Sequence, residues 1–190
     1  GNPDEGCIRT ALQEQMKPPS FPVPFGSLPA RLEFAPVPLD RELRIGNATV
    51  RAARLTHPNG VLAYRISYGE CSMVYATDTE HDEARIDEAL VELARDADIL
   101  IYDSMYTPAE YRGDEGMSRK GWGHSTYCEG IKVARAAGVR QLILFHHDPC
   151  RTDEQVANLE RRARADFPNT LAAREGLELC LECQHKREAA

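Results

Sequence analysis

The sequence predicts a layered α/β domain, in which helices cover the faces of a β-sheet. Two patterns carry this prediction. Short alternating strands fill residues 43–77, and helices alternate with strands from residue 83 onward. The length of 190 residues fits one domain with a substantial core, so residues 1–190 are expected to form a single domain.

The N-terminal part is predicted to be a helix followed by a proline-rich connector. Residues 6–17 carry apolar side chains every four residues, and two consecutive prolines then end the helix. Residues 18–38 hold seven of the twelve prolines. Large apolar side chains are interleaved with these prolines, so we expect an ordered connector rather than a free linker. These side chains are Phe21, Val23, Phe25, Leu28 and Phe34.

The middle of the chain is predicted to be an antiparallel meander. Leu43–Gly46 and Thr49–Leu55 have the composition of strands, and a turn joins them. Residues 62–68 alternate apolar with smaller or polar side chains, as in a half-buried strand. A tight turn at Tyr68-Gly69-Glu70 leads into a returning strand over residues 72–77.

Helices and strands alternate after this meander. Helices are predicted at 83–95, at 126–137 and from Thr152 to about 167, the last two opening with capping boxes. Apolar strands are predicted at 98–102 and 141–145, and closing strands near 170–173 and 177–182. A meander followed by helix–strand–helix–strand–helix predicts helices packed on the faces of one sheet.

The composition is that of an ordinary globular protein with an acidic surface. The formal charge is −7, from 23 Lys and Arg against 30 Asp and Glu. Because this charge repels phosphate backbones, we do not expect nucleic-acid binding, although a bound metal could still hold a small phosphate ester. The sequence has no apolar run long enough to predict a membrane-spanning helix. The six cysteines are interpreted as free thiols in a cytoplasmic protein.

Polar residues that can carry chemistry follow four of the predicted strands directly. In open α/β sheets, ligands bind beyond the carboxyl ends of strands, so this shared position indicates a site. Imidazole and carboxylate groups are ligands for divalent metals. The residues in these positions are His57, Asp78, Asp103, His146 and His147.

The motifs around these residues resemble the metallo-β-lactamase-fold hydrolases, specifically the branch with ribonuclease Z and phosphodiesterases. The resemblance covers residues 43–180 and implies an αββα sandwich, here incomplete, with a β-rich part followed by an αβαβα half. The matching motifs are Leu55-Thr56-His57-Pro58, Tyr75-Ala76-Thr77-Asp78-Thr79-Glu80, Asp98-Ile99-Leu100-Ile101-Tyr102-Asp103, Gly121-Trp122-Gly123-His124-Ser125-Thr126 and Leu142-Ile143-Leu144-Phe145-His146-His147-Asp148-Pro149.

The resemblance implies a centre of two divalent metals, zinc or alternatively manganese. His57 resembles a ligand of the first metal, Asp78 the bridging carboxylate and His146 a ligand of the second metal. His124 resembles the histidine that protonates the leaving group or contacts the phosphate, so Asp78 and His124 are the predicted catalytic residues. The family's His-x-His-x-Asp-His motif does not occur in this sequence. Metal binding by this chain is therefore expected to be weak or absent.

The missing ligands are expected from a preceding segment of a longer chain or from a second chain, as in a homodimer. The sequence favours a hydrolase of a small phosphodiester. The alternative is a truncated or degenerate domain that acts as a non-catalytic interaction module.

Further residues are expected near the cleft without a settled role. His147 or Asp148 could orient a ligand, Asp103 could do the same or cap a loop, and His81 could line the cleft or lie in solvated loop. Residues 113–120 are interpreted as a mobile loop beside the site. Cys180 and Cys183 have metal-ligand spacing, but a single pair is weak support for a zinc site.

Overall fold

The computed structural model describes residues 5–114 and 116–181. Within the chain, Gly1–Pro38 and Leu39–Ala190 form two compact units. Whether residues 1–190 act as one domain stays a prediction.

The first unit begins with a helix, α1 (Glu5–Gln15), which ends three residues before the first of the paired prolines. A short 3-10 helix, Phe25–Ser27, follows. The ring of Phe25 lies 6.4 Å from the ring of Phe34, and the guanidinium of Arg9 lies 4.6 Å above Phe34. Aromatic and cation–π contacts thus link the helix to the proline-rich segment within this unit.

The second unit is built on one sheet of seven strands in the described part of the chain, ordered β1 to β7 as in the sequence. The first four strands pair antiparallel, as the predicted meander requires, and β4 to β7 pair parallel. The strands are β1 (Leu43–Ile45), β2 (Ala48–Leu55), β3 (Val61–Tyr68), β4 (Cys71–Ala76), β5 (Ile99–Asp103), β6 (Gln141–Phe145) and β7 (Thr170–Ala172).

Helices connect the parallel strands, and most of them pack against one face of the sheet. They are α2 (Glu88–Ala94), α3 (Pro108–Arg112), α4 (Tyr127–Ala137) and α5 (Asp153–Asp166). Val74, Leu100 and Leu142 are direct cross-strand neighbours, so their side chains share this face. All three are fully buried, and the core lies between them and α2, α4 and α5. The predicted layered α/β architecture is confirmed.

Some element boundaries differ from the prediction. The helix expected from residue 83 begins at Glu88, because the carboxylate of Asp87 accepts the amide of Leu90 at 2.9 Å and caps the first turn. The helix α3 was not predicted. Thr107 and Glu110 form its capping box, and Pro108 occupies its first position.

Two local predictions near the C-terminal half were wrong. Thr126 precedes α4 without a side-chain capping hydrogen bond, whereas Thr152 and Gln155 form the expected capping box of α5. Residues 177–181 are not a strand, and residue 182 lies outside the described residues. In the described part of the chain, no helix combines the length and apolar character that a membrane span needs.

Truncation of a core side chain on β6 tests the layered packing. Leu142 is fully buried against α4, so Leu142→Ala is expected to lower the free energy of unfolding by about 2–5 kcal/mol through lost contacts and a cavity. Ile45 on the edge strand is 61% exposed, and Ile45→Ala should change stability by less than about 0.5 kcal/mol. Urea denaturation of both variants measures the difference, and equal losses would contradict this packing.

Candidate metal centre

The parallel strands bring three predicted site residues to one edge of the sheet. Asp78 lies two residues beyond β4, Asp103 ends β5, and His146 follows β6. Since β4, β5 and β6 are parallel neighbours, their carboxyl ends meet at the same edge. The three residues, each at the end of its strand in the sequence, therefore form one cluster.

The backbone turns sharply at two of these residues. Asp78 has φ 55° and His146 has φ 58°, in the left-handed region that residues other than glycine adopt at a cost. Each turn directs the chain away from its strand while leaving the side chain at the sheet edge. Local backbone strain of this kind collects at functional sites, and here it coincides with the predicted metal ligands.

Three side chains of this cluster could hold one metal ion. Asp78, His124 and His146 each offer a ligand atom, and these atoms lie within 4.8 Å of one another. Nε2 of His146 lies 3.4 Å from Oδ2 of Asp78, and the rings of His124 and His146 are 4.9 Å apart. Two imidazoles and a carboxylate are the donor set of many catalytic zinc sites. The residues present therefore fit a divalent metal.

Asp103 is the buried anchor beneath this cluster. Its carboxylate has no exposed surface and accepts the backbone amides of Asp78 at 2.9 Å, Ser125 at 3.1 Å and Met105 at 3.2 Å. It also accepts a hydrogen bond from Nδ1 of His124 at 3.1 Å. This bond fixes the orientation of the ring and leaves Nε2 as the nitrogen available to a ligand. These contacts match both roles that the sequence left open for Asp103, because it caps loop amides and also holds a histidine ring, so its role stays a prediction.

The charge of Asp103 is stabilised by its partners. Burial on its own would raise the pKa of this carboxyl, but hydrogen bonds from His124 and the amide of Ser125, together with the nearby His146 ring, hold the pKa below its usual range. Nδ1 of His146 lies 3.3 Å from Oδ2 of Asp103, and this contact raises the pKa of His146 against the opposing effect of burial. Asp103 is thus an anion that interacts favourably with both histidines.

Glu80 fastens the loop that carries His124. Its Oε1 accepts the amide of Gly121 at 2.6 Å and the hydroxyl of Tyr111 at 2.8 Å, and its Oε2 accepts the amide of Gly123 at 2.9 Å. Gly123 has φ 87°, and a Cβ there would lie 2.2 Å from the ring of His57. Only glycine fits this close approach.

His57 lies next to the cluster but outside its closest set. Its ring centroid is 6.1 Å from that of His124, and its Nδ1 accepts the amide of Asn59 at 3.1 Å. A nitrogen engaged by a backbone amide leaves only Nε2 as a ligand atom. The assignment of His57 as a metal ligand stays a prediction.

His81 belongs to a second hydrogen-bonded group behind the site. Its Nδ1 lies 2.9 Å from the hydroxyl of Ser125, which is also 2.9 Å from the hydroxyl of Tyr102, and its ring packs 4.2 Å from that of Tyr111. Burial lowers the pKa of His81. The sequence did not single out Ser125, although it lies inside the Gly-His-Ser-Thr motif.

His147 and Asp148 leave the cluster after β6. Oδ1 of Asp148 accepts the amide of Cys150 at 2.8 Å and so caps a turn. Burial and the nearby Arg151 lower the pKa of His147. Arg151 donates to Glu110 and to the carbonyl of Met105, both at 2.8 Å, and ties this loop to α3.

Comparison with known proteins identifies the family. A family model described as the beta-lactamase superfamily domain matches residues 8–147. The chain belongs to this family. The predicted membership in the metallo-β-lactamase-fold hydrolases is confirmed, together with the fold class.

Curated relatives of this superfamily member carry the name ribonuclease Z. The protein from Methanosarcina mazei is 34% identical over 150 residues, which cover 78% of this chain and 44% of that protein. The protein from Gemmatimonas aurantiaca is 42% identical over 86 residues, which cover 45% of this chain and 26% of that protein. The chain spans less than half the length of these relatives.

Solved structures share the fold at low sequence identity. The metallo-beta-lactamase fold protein YhfI from Bacillus subtilis has a TM-score of 0.61 at 22% identity and covers 75% of this chain and 54% of that one. Human tRNase Z, short form, has a TM-score of 0.52 at 18% identity and covers 71% of this chain and 44% of that one. At this sequence identity, both similarities show a shared fold and nothing more.

These names correct one expectation from the sequence. We expected a small phosphodiester substrate and no nucleic-acid binding, whereas the relatives are named as ribonucleases and one neighbour as a tRNase. The expectation is wrong because it summed charge over the whole chain. Phosphate binding depends on the cations next to the site, which the net charge does not describe.

The cysteines also differ from the prediction. Cys71 is disulfide-bonded, so the interpretation of all six as free thiols is wrong for this residue. Its Sγ lies 3.8 Å from the carbonyl oxygen of Leu181, a chain proximity that sequence separation conceals. Cys128, Cys150 and Cys180 are free. The weak zinc prediction for Cys180 and Cys183 involves a residue outside the described ranges.

Removal of the Glu80 carboxylate tests its hold on the His124 loop. Glu80→Ala takes away the acceptor of the Gly121 and Gly123 amides, so both amides should exchange with solvent about tenfold faster or more. Glu83→Ala is the control, because in the described part of the chain Glu83 pairs with the exposed Lys120 side chain and with no backbone amide of the loop. Residue-resolved hydrogen exchange measures both variants. Unchanged protection in Glu80→Ala would show that the loop is held by other contacts.

Proposed function

We propose that this chain provides one face of the active site of a metal-dependent phosphodiester hydrolase that acts on RNA. The observation that carries this proposal is the convergence of Asp78, His124 and His146 above the buried Asp103. A carboxylate and two imidazoles that close together form a metal-binding set rather than a structural one.

The three residues would hold one divalent cation between them. In phosphodiester hydrolysis such a cation binds a phosphate oxygen and lowers the pKa of a water molecule that serves as nucleophile. Asp78 also has a second carboxylate oxygen, which suits it to bridge to a second cation. Ligands for that second cation would come from outside the set of three, and zinc and manganese both remain candidates.

Asp103 acts through its neighbours. It holds Nδ1 of His124, contacts Nδ1 of His146 and accepts the amide of Asp78, so all three ligand residues are positioned by one carboxylate. Residues that orient metal ligands in this way raise the basicity of the imidazoles and keep their geometry fixed. We therefore assign Asp103 a positioning role.

His124 has two compatible roles, as a metal ligand or as the proton donor that the family resemblance implies. With Nδ1 hydrogen-bonded to Asp103, its Nε2 is the nitrogen available to a cation or to a leaving oxygen. Its distance from Asp78 and His146 supports the ligand role. Its place in the Gly-His-Ser-Thr motif supports the proton-donor role.

RNA as the substrate class is supported by the relatives. The ribonuclease Z from Methanosarcina mazei matches over 78% of this chain, a stretch long enough to include the site. We propose the same substrate class for this chain, which spans 44% of that relative.

Adjacent histidines on one loop provide a matched test of metal binding. His146→Asn removes one of the three ligands and should weaken binding of Co²⁺ or Zn²⁺ by about 10-fold or more. His147→Asn changes the next residue, which lies outside the ligand set, and should leave the affinity within about threefold. Cobalt absorption spectra and competitive zinc titration measure this. Equal effects at the two positions would remove His146 from the site.

The leaving group distinguishes the two roles of His124. If His124 donates a proton, His124→Ala should slow cleavage of RNA by about 10²–10⁴-fold, but slow an aryl phosphodiester much less, since that leaving group departs without a proton. If His124 is a ligand, both substrates should slow alike and metal affinity should fall. The measurement is kcat for each substrate in the intact protein. Full activity of His124→Ala on both substrates would exclude both the ligand role and the proton-donor role.

A further inference from the structure

Trp122 is the only tryptophan in the sequence and lies in the loop just before His124. The residue is 48% exposed, so its large apolar side chain is not fully buried in the core. Exposed aromatic rings beside a reaction centre are typical of recognition surfaces. Nothing in the proposed hydrolysis uses this ring.

The loop holds Trp122 in a defined place. Its neighbours Gly121 and Gly123 donate their amides to Glu80, and the amide of Trp122 donates to the carbonyl of Arg119 at 3.2 Å. Arg119 in turn donates its amide to the carbonyl of Tyr111 at 3.0 Å. A ring that is already ordered loses little conformational entropy when a ligand packs on it.

Arg119 adds a cation to this ring. Its guanidinium carbon lies 4.5 Å from the centroid of Trp122, a cation–π contact. Among residues 5–114 and 116–181 it has no carboxylate partner, whereas Arg112 pairs with Asp114 and Lys120 with Glu83. Its positive charge is therefore available to a phosphate.

Trp122, with Arg119 packed against it, also lies close to His124. Burial raises the pKa of Tyr106, and the charge of Arg119 opposes this rise. The ring of Tyr106 contacts that of His124 edge-on, with centroids 6.0 Å apart. Trp122 itself is only two residues from His124 in the sequence.

We infer that Trp122 and Arg119 form a stacking platform for a nucleobase of the nucleotide next to the cleaved phosphodiester. The base stacks on the exposed part of the indole, and Arg119 contacts the backbone phosphate. Stacking on an aromatic ring tolerates every base, so the platform takes single-stranded RNA without sequence preference. The role in cleavage rests on the proposed function, whereas the binding itself does not require hydrolysis.

The single tryptophan allows a direct test on this chain. A single-stranded oligoadenylate of eight nucleotides is titrated in EDTA, so that no metal-dependent cleavage occurs. Stacking should quench the tryptophan fluorescence to saturation, and an eight-unit abasic sugar–phosphate chain of equal charge should not quench it. Equal quenching by both chains, or none by either, would overturn the platform.

Variants separate stacking from folding. Trp122→Ala should weaken binding of a dye-labelled oligoadenylate by about tenfold or more, and Trp122→Phe, which keeps a ring, by less than about threefold. Met117→Ala is the control, because Met117 is a 71% exposed apolar residue of the same loop and should bind as the parent does. Fluorescence anisotropy measures affinity, and circular dichroism checks the fold. If Trp122→Ala is misfolded, the platform is tested by comparing the affinities of Trp122→Phe and of the parent protein for oligoadenylate and for the abasic chain.

The readouts fail independently. Loss of quenching with intact metal-dependent RNA cleavage would overturn the platform and leave the proposed function in place. Quenching by oligoadenylate without any RNA cleavage by the intact protein would retain the platform and overturn the proposed function.

Discussion

The site depends on one buried carboxylate, that of Asp103. A buried charge is tolerated only when hydrogen-bond donors replace its lost hydration, and here three backbone amides and a histidine do so. The donors come from the segment after β4, the segment after β5 and the loop before α4. The need to satisfy one anion therefore fixes the relative positions of Asp78 and His124, and the contact with His146 adds the end of β6.

A second carboxylate, Glu80, repeats this device on the other side of the same loop. Glu80 holds the amides of Gly121 and Gly123, and Asp103 holds His124 and the amide of Ser125. The amide of Trp122 is also held, by the carbonyl of Arg119, whereas its side chain stays half exposed. A rigid backbone of this kind keeps His124 and the exposed Trp122 ring at a constant separation.

The strand-end pattern predicted much of this site, because parallel neighbours bring their carboxyl ends together whatever lies between them. Asp78, Asp103 and His146 were found in this way. The strand-end pattern does not include His124, which was expected at the site only from the family resemblance, since loop conformation depends on long-range contacts. Glu80 reaches Gly121 and Gly123 across 41 and 43 residues, and no local periodicity reports such a bond. The start of α2 and the helix α3 were missed for a simpler reason, namely overlooked capping residues.

The acidic composition is compatible with an RNA substrate because charge repulsion acts only over a short distance in salt. Repulsion between exposed charges is screened beyond a Debye length of about 8 Å at physiological salt, so most of the net charge of −7 acts weakly at the site. Near the site, Arg119 packs against Trp122 and has no carboxylate partner among the residues that the structure describes. Stacking on Trp122 adds affinity that needs no positive charge at all. Under the proposed function, a protein with an acidic surface would bind single-stranded RNA through a cation, one arginine and one aromatic ring, while its remaining surface disfavours non-specific contact with nucleic acid.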